Sequence, residues 1–130
     1  MEVADLELPA CWWLSNENFI NREEGVARLT KIVDYLAKAD RFHGVWPHWL
    51  HGPTGKVKPF GTKDDGGDLV ESSFLMQSLL CVRQYVKDGN EKEKALAAKI
   101  DELWHGMEFD WYRNGDQNVL YWHWSPNYGW

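Results

Sequence analysis

Four carboxylates fall within the eight residues Asp64-Asp65-Gly66-Gly67-Asp68-Leu69-Val70-Glu71. Crowded carboxylates suit acid–base chemistry. Cleaving a glycosidic bond needs one protonated acid for the leaving oxygen and one ionised carboxylate that activates water or attacks. The two glycines bend the backbone just ahead of an apolar run. A helix opening there has Asp68 as its N-cap and Glu71 at its third position. Asp-x-x-Glu at a helix start is also a plain capping pattern, and spacing alone favours that reading for these two. A helix N-terminus favours negative charge, so Asp68 and Glu71 suit base, nucleophile or hydroxyl-binding roles. The proton donor is better sought at Asp64 or on a segment outside this chain. Capping does not explain Asp64 and Asp65, although Asp-rich turns are ordinary.

The second chemistry-bearing group is aromatic: nine Trp, five Tyr and five Phe. Every buried indole N–H needs a partner, and core packing does not require so many. Pyranose rings stack their C–H faces on aromatic planes, so Trp beside polar groups suits a sugar site. A Trp-rich core explains the count equally well. The sugar-contact candidates are Trp46, His48 and Trp49 on one loop, Asp65 in the acidic box, and Trp122, His123 and Trp124 near the end of the chain. A histidine beside Trp in a cleft can donate to hydroxyls; the alternative is a packed loop residue. His43, His48 and His51 match no compact zinc motif, so no metal and no other cofactor is expected.

Three helices must position these groups. The first, over 22–39, has Asn21 as N-cap with Glu24 three residues on, and Val26, Leu29, Val33 and Leu36 as its apolar stripe. A loop over 41–67 holds six Gly and three Pro together with Trp46, His48, Trp49 and His51; long loops carrying such residues are usually functional. In it Thr54-Gly55-Lys56 reads as a turn and 57–60 as a short extended piece. The second helix, over 69–87, is apolar around most of its girth, which calls for neighbours on several sides; Cys81 reads there as a small buried hydrophobe. The third, over 91–107, is capped by Asn90 and buries Leu96, Ile100, Leu103, Trp104 and Met107, with Lys92, Glu93, Lys94, Lys99 and Glu102 facing water. Phe109 to Tyr112 and Val119 to Trp124, separated by Asn114-Gly115, read as an aromatic β-hairpin, with Leu120, Trp122 and Trp124 on one face. Residues 1–18 read as an irregular lead-in, and 19–130 as one unit.

The length of 130 residues suits one domain. The net charge of −6, without basic clusters, excludes nucleic acid as a natural partner. No apolar run is long enough for a membrane span. The acidic start (Glu2, Asp5, Glu7) is unlike a secretory signal, and the sequence as given reads as cytoplasmic. Two distant cysteines, Cys11 and Cys81, make no disulfide framework.

In order along the chain stand Phe42-His43-Gly44-Val45-Trp46-Pro47-His48-Trp49-Leu50, Thr54-Gly55-Lys56, Pro59-Phe60, the acidic box, Arg83-Gln84-Tyr85 and Tyr121-Trp122-His123-Trp124-Ser125-Pro126. This series resembles the bacterial glucoamylase-like family, which includes endo-β-1,2-glucanases, over about 19–130. The resemblance implies an (α/α)₆ toroid of paired helices with a cleft at one end. It further implies glucan hydrolysis, by inversion in the β-1,2-glucanases, with the positions of Asp64, Asp68 and Glu71 lining the catalytic centre. Family members are usually exported to the periplasm or cell surface. Residues 1–18 do not look like the family's preceding segment. The family also continues past the position of Trp130 with more barrel helices and at least one further acid.

The expectation is therefore an all-α fragment of an (α/α)₆ barrel with a small aromatic hairpin. Its parent is a glycoside hydrolase acting on a glucan, most of all β-1,2-glucan. The rival is an inactive glucan-binding or remnant domain, and exposed barrel faces are open to self-association.

Overall fold

The structure, a computed structural model, describes residues 21–130. The lead-in over 1–18 and Cys11 lie outside the described residues. Helix α1 spans Arg22–Lys38, α2 Leu69–Val86 and α3 Glu91–His105. Each starts on a side chain that satisfies an otherwise orphaned amide, an interaction worth about 1 kcal/mol per helix. Asn21 accepts from Glu24 N, Asp68 from Glu71 N and Asn90 from Glu93 N. Only at α3 is the box reciprocal, with Glu93 returning a bond to Asn90 N.

Helix α3 packs against both α1 and α2. The stripe Val26, Leu29, Val33 and Leu36 is buried as its period requires, in one core with Leu96, Ile100 and Leu103 of α3 and Leu75, Met76, Leu79 and Val82 of α2. Each such side chain contributes about 1.5–3 kcal/mol by leaving water. Two expectations for α3 fail. Trp104 stays 36 % exposed. Glu93 is buried rather than solvated, because its carboxylate serves both the cap and an ion pair with Arg22.

The outer face of α2 carries Val70, Phe74 and Tyr85, which are 44 %, 52 % and 47 % exposed. The girth of apolar residues read from the sequence is therefore met on one side only, where α2 packs against α3. Cys81 lies on this outer face and is exposed, contrary to the buried hydrophobe expected. No helix among the described residues is long and apolar enough to cross a membrane.

Two short antiparallel ribbons complete the fold. In the first, β1 (Leu50–His51) pairs with β2 (Lys56–Val57) around the expected turn. Gly55 adopts φ +68° there, conformational space that favours glycine. In the second, β3 (Gly67–Asp68) pairs with β4 (His123–Trp124), Gly67 opposite Trp124 and Asp68 opposite His123.

The expected aromatic hairpin does not form. Trp111–Arg113 is a 3₁₀ turn, and one bond, Tyr121 N to Tyr112 O at 2.7 Å, joins the two segments. The reason is the glycine pair in the acidic box. A Cβ at Gly66 would stand 2.0 Å from Trp124 O, and one at Gly67 would stand 2.0 Å from Tyr112 Oη. Bare backbone lets the distant strand close on the acidic box, and that pairing replaces the local one. The expected face is also absent: Leu120 and Trp122 are exposed, whereas Trp124 packs against the core.

Candidate active site

The β3–β4 ribbon brings the acidic box and the Trp122-His123-Trp124 segment together at the N-terminus of α2. The loop before β1 is fastened to the same place. Asp68 N donates to Trp46 O at 2.8 Å, and Ser72 Oγ both accepts from Trp46 N and donates to Trp46 O. Residues 46–49, 64–71 and 122–124 thus form one cluster although they are scattered in sequence.

Asp68 is its centre and is 1 % exposed. Oδ1 accepts from Glu71 N at 3.0 Å, while Oδ2 accepts from His48 Nδ1 and from Trp122 Nε1, both at 2.9 Å. The N-cap expected from sequence is present, and two further donors share the other oxygen. Burial on its own would lower the His48 pKa. The Asp68 hydrogen bond and the charges of Asp68, Glu71 and Asp64 outweigh that effect and raise it above the ordinary imidazole value. Glu71, partly buried in the first turn of α2, contributes to this negative field.

Asp64 differs. Both carboxylate oxygens are buried, and among the described residues no donor completes a hydrogen bond to either. His123 Nε2 lies 3.0 Å from Oδ1, within ion-pair range but off the line of a hydrogen bond, so it too is without a hydrogen-bond partner. Orphaned buried polar groups are rare, and they concentrate where chemistry or a ligand completes them.

Asp65 is a fastener. Its oxygens accept from Ser125 Oγ and Asn127 Nδ2, and these two bonds, Ser125's first, hold its pKa below the ordinary carboxylate value. Ser125 Oγ in turn accepts from the amides of Asn127 and Tyr128. Sequence reasoning passed over Ser125 and Asn127; a Ser whose hydroxyl can close a turn two residues on was the available signal.

The aromatic candidates divide. Trp46 is wholly buried, donates Nε1 to Leu36 O at 3.0 Å, and lies under the Arg41 guanidinium at 4.5 Å. It cannot stack on a sugar, which corrects the expectation; the core reading holds for this residue. Trp49 is partly buried, its indole N–H is enclosed without an acceptor among the described residues, and Lys58 sits over its ring at 5.0 Å. Phe60, not a candidate from sequence, is 59 % exposed and lies against His48 and Trp49, with ring centres 4.5 Å and 6.0 Å away. Trp122 is 56 % exposed. Trp124 turns from the cluster and meets Trp111 and His43 edge-on. His43 pairs with Glu108, His48 with Asp68 and His51 with Thr54, so the three loop histidines do not converge. Among the described residues no group of three or more His, Cys, Asp or Glu could hold a metal ion.

No protein-family model matches the chain. It is similar to the exo β-1,2-glucooligosaccharide sophorohydrolase (non-reducing end) of Parabacteroides distasonis, with 54 % identity over 114 residues. Those residues are 86 % of this chain and 16 % of that protein. Among solved structures, the endo-β-1,2-glucanase of Chitinophaga pinensis, determined with sophorotriose and glucose, is 65 % identical with a TM-score of 0.85, over 98 % of this chain and 29 % of that one. A β-1,2-glucanase from P. distasonis is 46 % identical with a TM-score of 0.94, over 100 % of this chain and 19 % of that one. The chain therefore spans under a third of the length of each of these relatives.

Proposed function

From the premise that this chain belongs to the glucoamylase-like group containing β-1,2-glucan hydrolases, we propose that it supplies part of the active centre of a glycoside hydrolase acting on β-1,2-glucan. The three helices are then part of an (α/α)₆ barrel. The exposed apolar face of α2 supports that reading, since such a face requires cover; it also makes self-association an expectation, to be read by light scattering.

The observation that carries the proposal is Asp64. Among the described residues its buried carboxylate accepts no hydrogen bond, with His123 at ion-pair distance and the hydrogen-bonded Asp68–His48 pair nearby. Buried carboxylates that accept no hydrogen bond concentrate at functional sites. Asp64 is accordingly assigned to acid–base work, and Glu71 to a second carboxylate or hydroxyl-binding role. Asp68 orients His48 and Trp122. Phe60 and Trp122, whose rings are exposed, are assigned to the sugar-facing rim, and Trp49 and His123 to its partly buried edge. Reducing-sugar release from β-1,2-glucan, absent in Asp64→Asn, tests the reading; release from starch alone overturns the linkage.

Glucan binding without turnover is the second reading. It is favoured by Asp68, whose two oxygens are occupied by three donors. Retention on immobilised β-1,2-glucan without sugar release would select it.

A further inference from the structure

Trp122 combines two properties that rarely coincide. Its ring is 56 % exposed, yet its only polar atom is fixed to a carboxylate that is 1 % exposed. Its main chain is fixed to the same turn of helix, with Leu69 N donating to Trp122 O at 2.8 Å, and the next residue, His123, pairs with Asp68 in the ribbon. Both ends are held at the start of α2, and the ring between them faces solvent. An exposed side chain normally samples several rotamers and loses that freedom when a ligand covers it. Trp has two side-chain torsions, and one hydrogen bond at the indole tip is enough to fix both.

The fixed ring also stands close to the uncommitted acid. Its centre is 5.9 Å from that of His123, whose Nε2 is 3.0 Å from Asp64 Oδ1. The Trp122 ring is thus one residue removed from the acid assigned above to acid–base work. The tether has a second consequence. Asp68 Oδ2 is shared between Trp122 Nε1 and His48 Nδ1, so whatever moves the indole changes how fully that oxygen serves His48.

We propose that Trp122 is a positioning residue whose indole N–H, held by Asp68, presets the exposed ring as a stacking plate for a β-linked glucose unit and couples its occupancy to His48. This rests on the glucan reading. The coupling is nevertheless readable without sugar.

The test uses the whole chain, with Trp122→Phe (ring kept, tether lost) and Trp122→Ala (both lost). Sophorotriose affinity is measured by calorimetry, and the His48 ring is titrated by NMR without ligand. Trp122→Phe is expected to bind about 2- to 10-fold more weakly than the unmodified chain, the cost of ordering one side chain, and Trp122→Ala more weakly still. In Trp122→Phe the His48 titration is expected to move upward, because Oδ2 then serves His48 alone. The main-chain bond from Leu69 is retained in both variants, and amide exchange at Leu69 reports whether the ribbon stays formed. Wild-type affinity in Trp122→Ala overturns the plate; an unmoved His48 titration in Trp122→Phe overturns the tether. If the unmodified chain binds no sophorotriose, the glucan reading and the plate fall together, while the titration still decides the tether.

Discussion

Asp64 and Asp68, four residues apart in one acidic box, have opposite hydrogen-bonding states: three donors occupy the oxygens of Asp68, and none among the described residues completes a bond to Asp64. The contrast separates function from stability. Asp64→Asn removes the ion-pair contact with His123 but no hydrogen bond, so it should cost less stability than Asp68→Asn, while glucan hydrolysis falls by about 10²- to 10⁴-fold, the usual contribution of a general acid or base. Asp68→Asn keeps a competent N-cap but turns an amide N–H₂ toward donors, at a cost of roughly 1–3 kcal/mol. Denaturant melts alongside sugar-release assays check both. A large stability loss in Asp64→Asn would contradict the assignment.

The glycine pair explains why the distant strand reaches the acidic box. An alanine Cβ at Gly67 would stand 2.0 Å from Tyr112 Oη, and Tyr112 is buried with its hydroxyl bonded to Phe42 O at 2.8 Å. Gly67→Ala should therefore cost about 1–3 kcal/mol through overpacking. Removing the hydroxyl in Tyr112→Phe relieves the contact, so the double variant should be more stable than the sum of the single losses predicts. Simple additivity would show that the clash is absorbed elsewhere.

How much was legible follows from the range of the interactions. The three helices and their caps are local, and the positions of Asn21, Asp68 and Asn90 matched the amides they cap. The cluster of Asp64, Asp68, His48 and Trp122 was readable as residue types but not as contacts, because the β3–β4 ribbon joins positions more than fifty apart. A hairpin signal at Asn114-Gly115 pointed to local pairing, and only the clearance at Gly66 and Gly67 reveals why the long-range partner wins. Trp46 was misread because indole burial depends on tertiary cover. Glu93 was misread because its cation, Arg22, comes from another helix.

His48 gives the cluster a pH signature. Its folded pKa is raised, with the Asp68 bond and the surrounding acids outweighing burial. A raised imidazole contributes stability that is fully present below the unfolded value of about 6.5 and is lost as pH rises through the higher folded value. The stability difference between the chain and His48→Gln should thus be largest near pH 6 and shrink toward pH 8 and above. A difference that grows with pH would reverse the sign and remove the charged pair from the account.

The tryptophans offer the sharpest separation between core and site. Trp46 has no exposed surface; its main chain is bonded to Ser72, and its indole N–H donates to Leu36 O near the end of α1. Trp46→Ala opens a large cavity and leaves a buried carbonyl without its donor, so it should lose about 3–5 kcal/mol. Trp122→Ala removes a ring that is more than half exposed and one of the two donors to Asp68 Oδ2, and should cost about 1–2 kcal/mol. Glucan affinity should invert that order once folding is accounted for: under conditions where both variants are folded, Trp46→Ala should bind as the unmodified chain does and Trp122→Ala should not. Equal loss of affinity in the two would mean that the exposed ring has no more to do with sugar than the buried one.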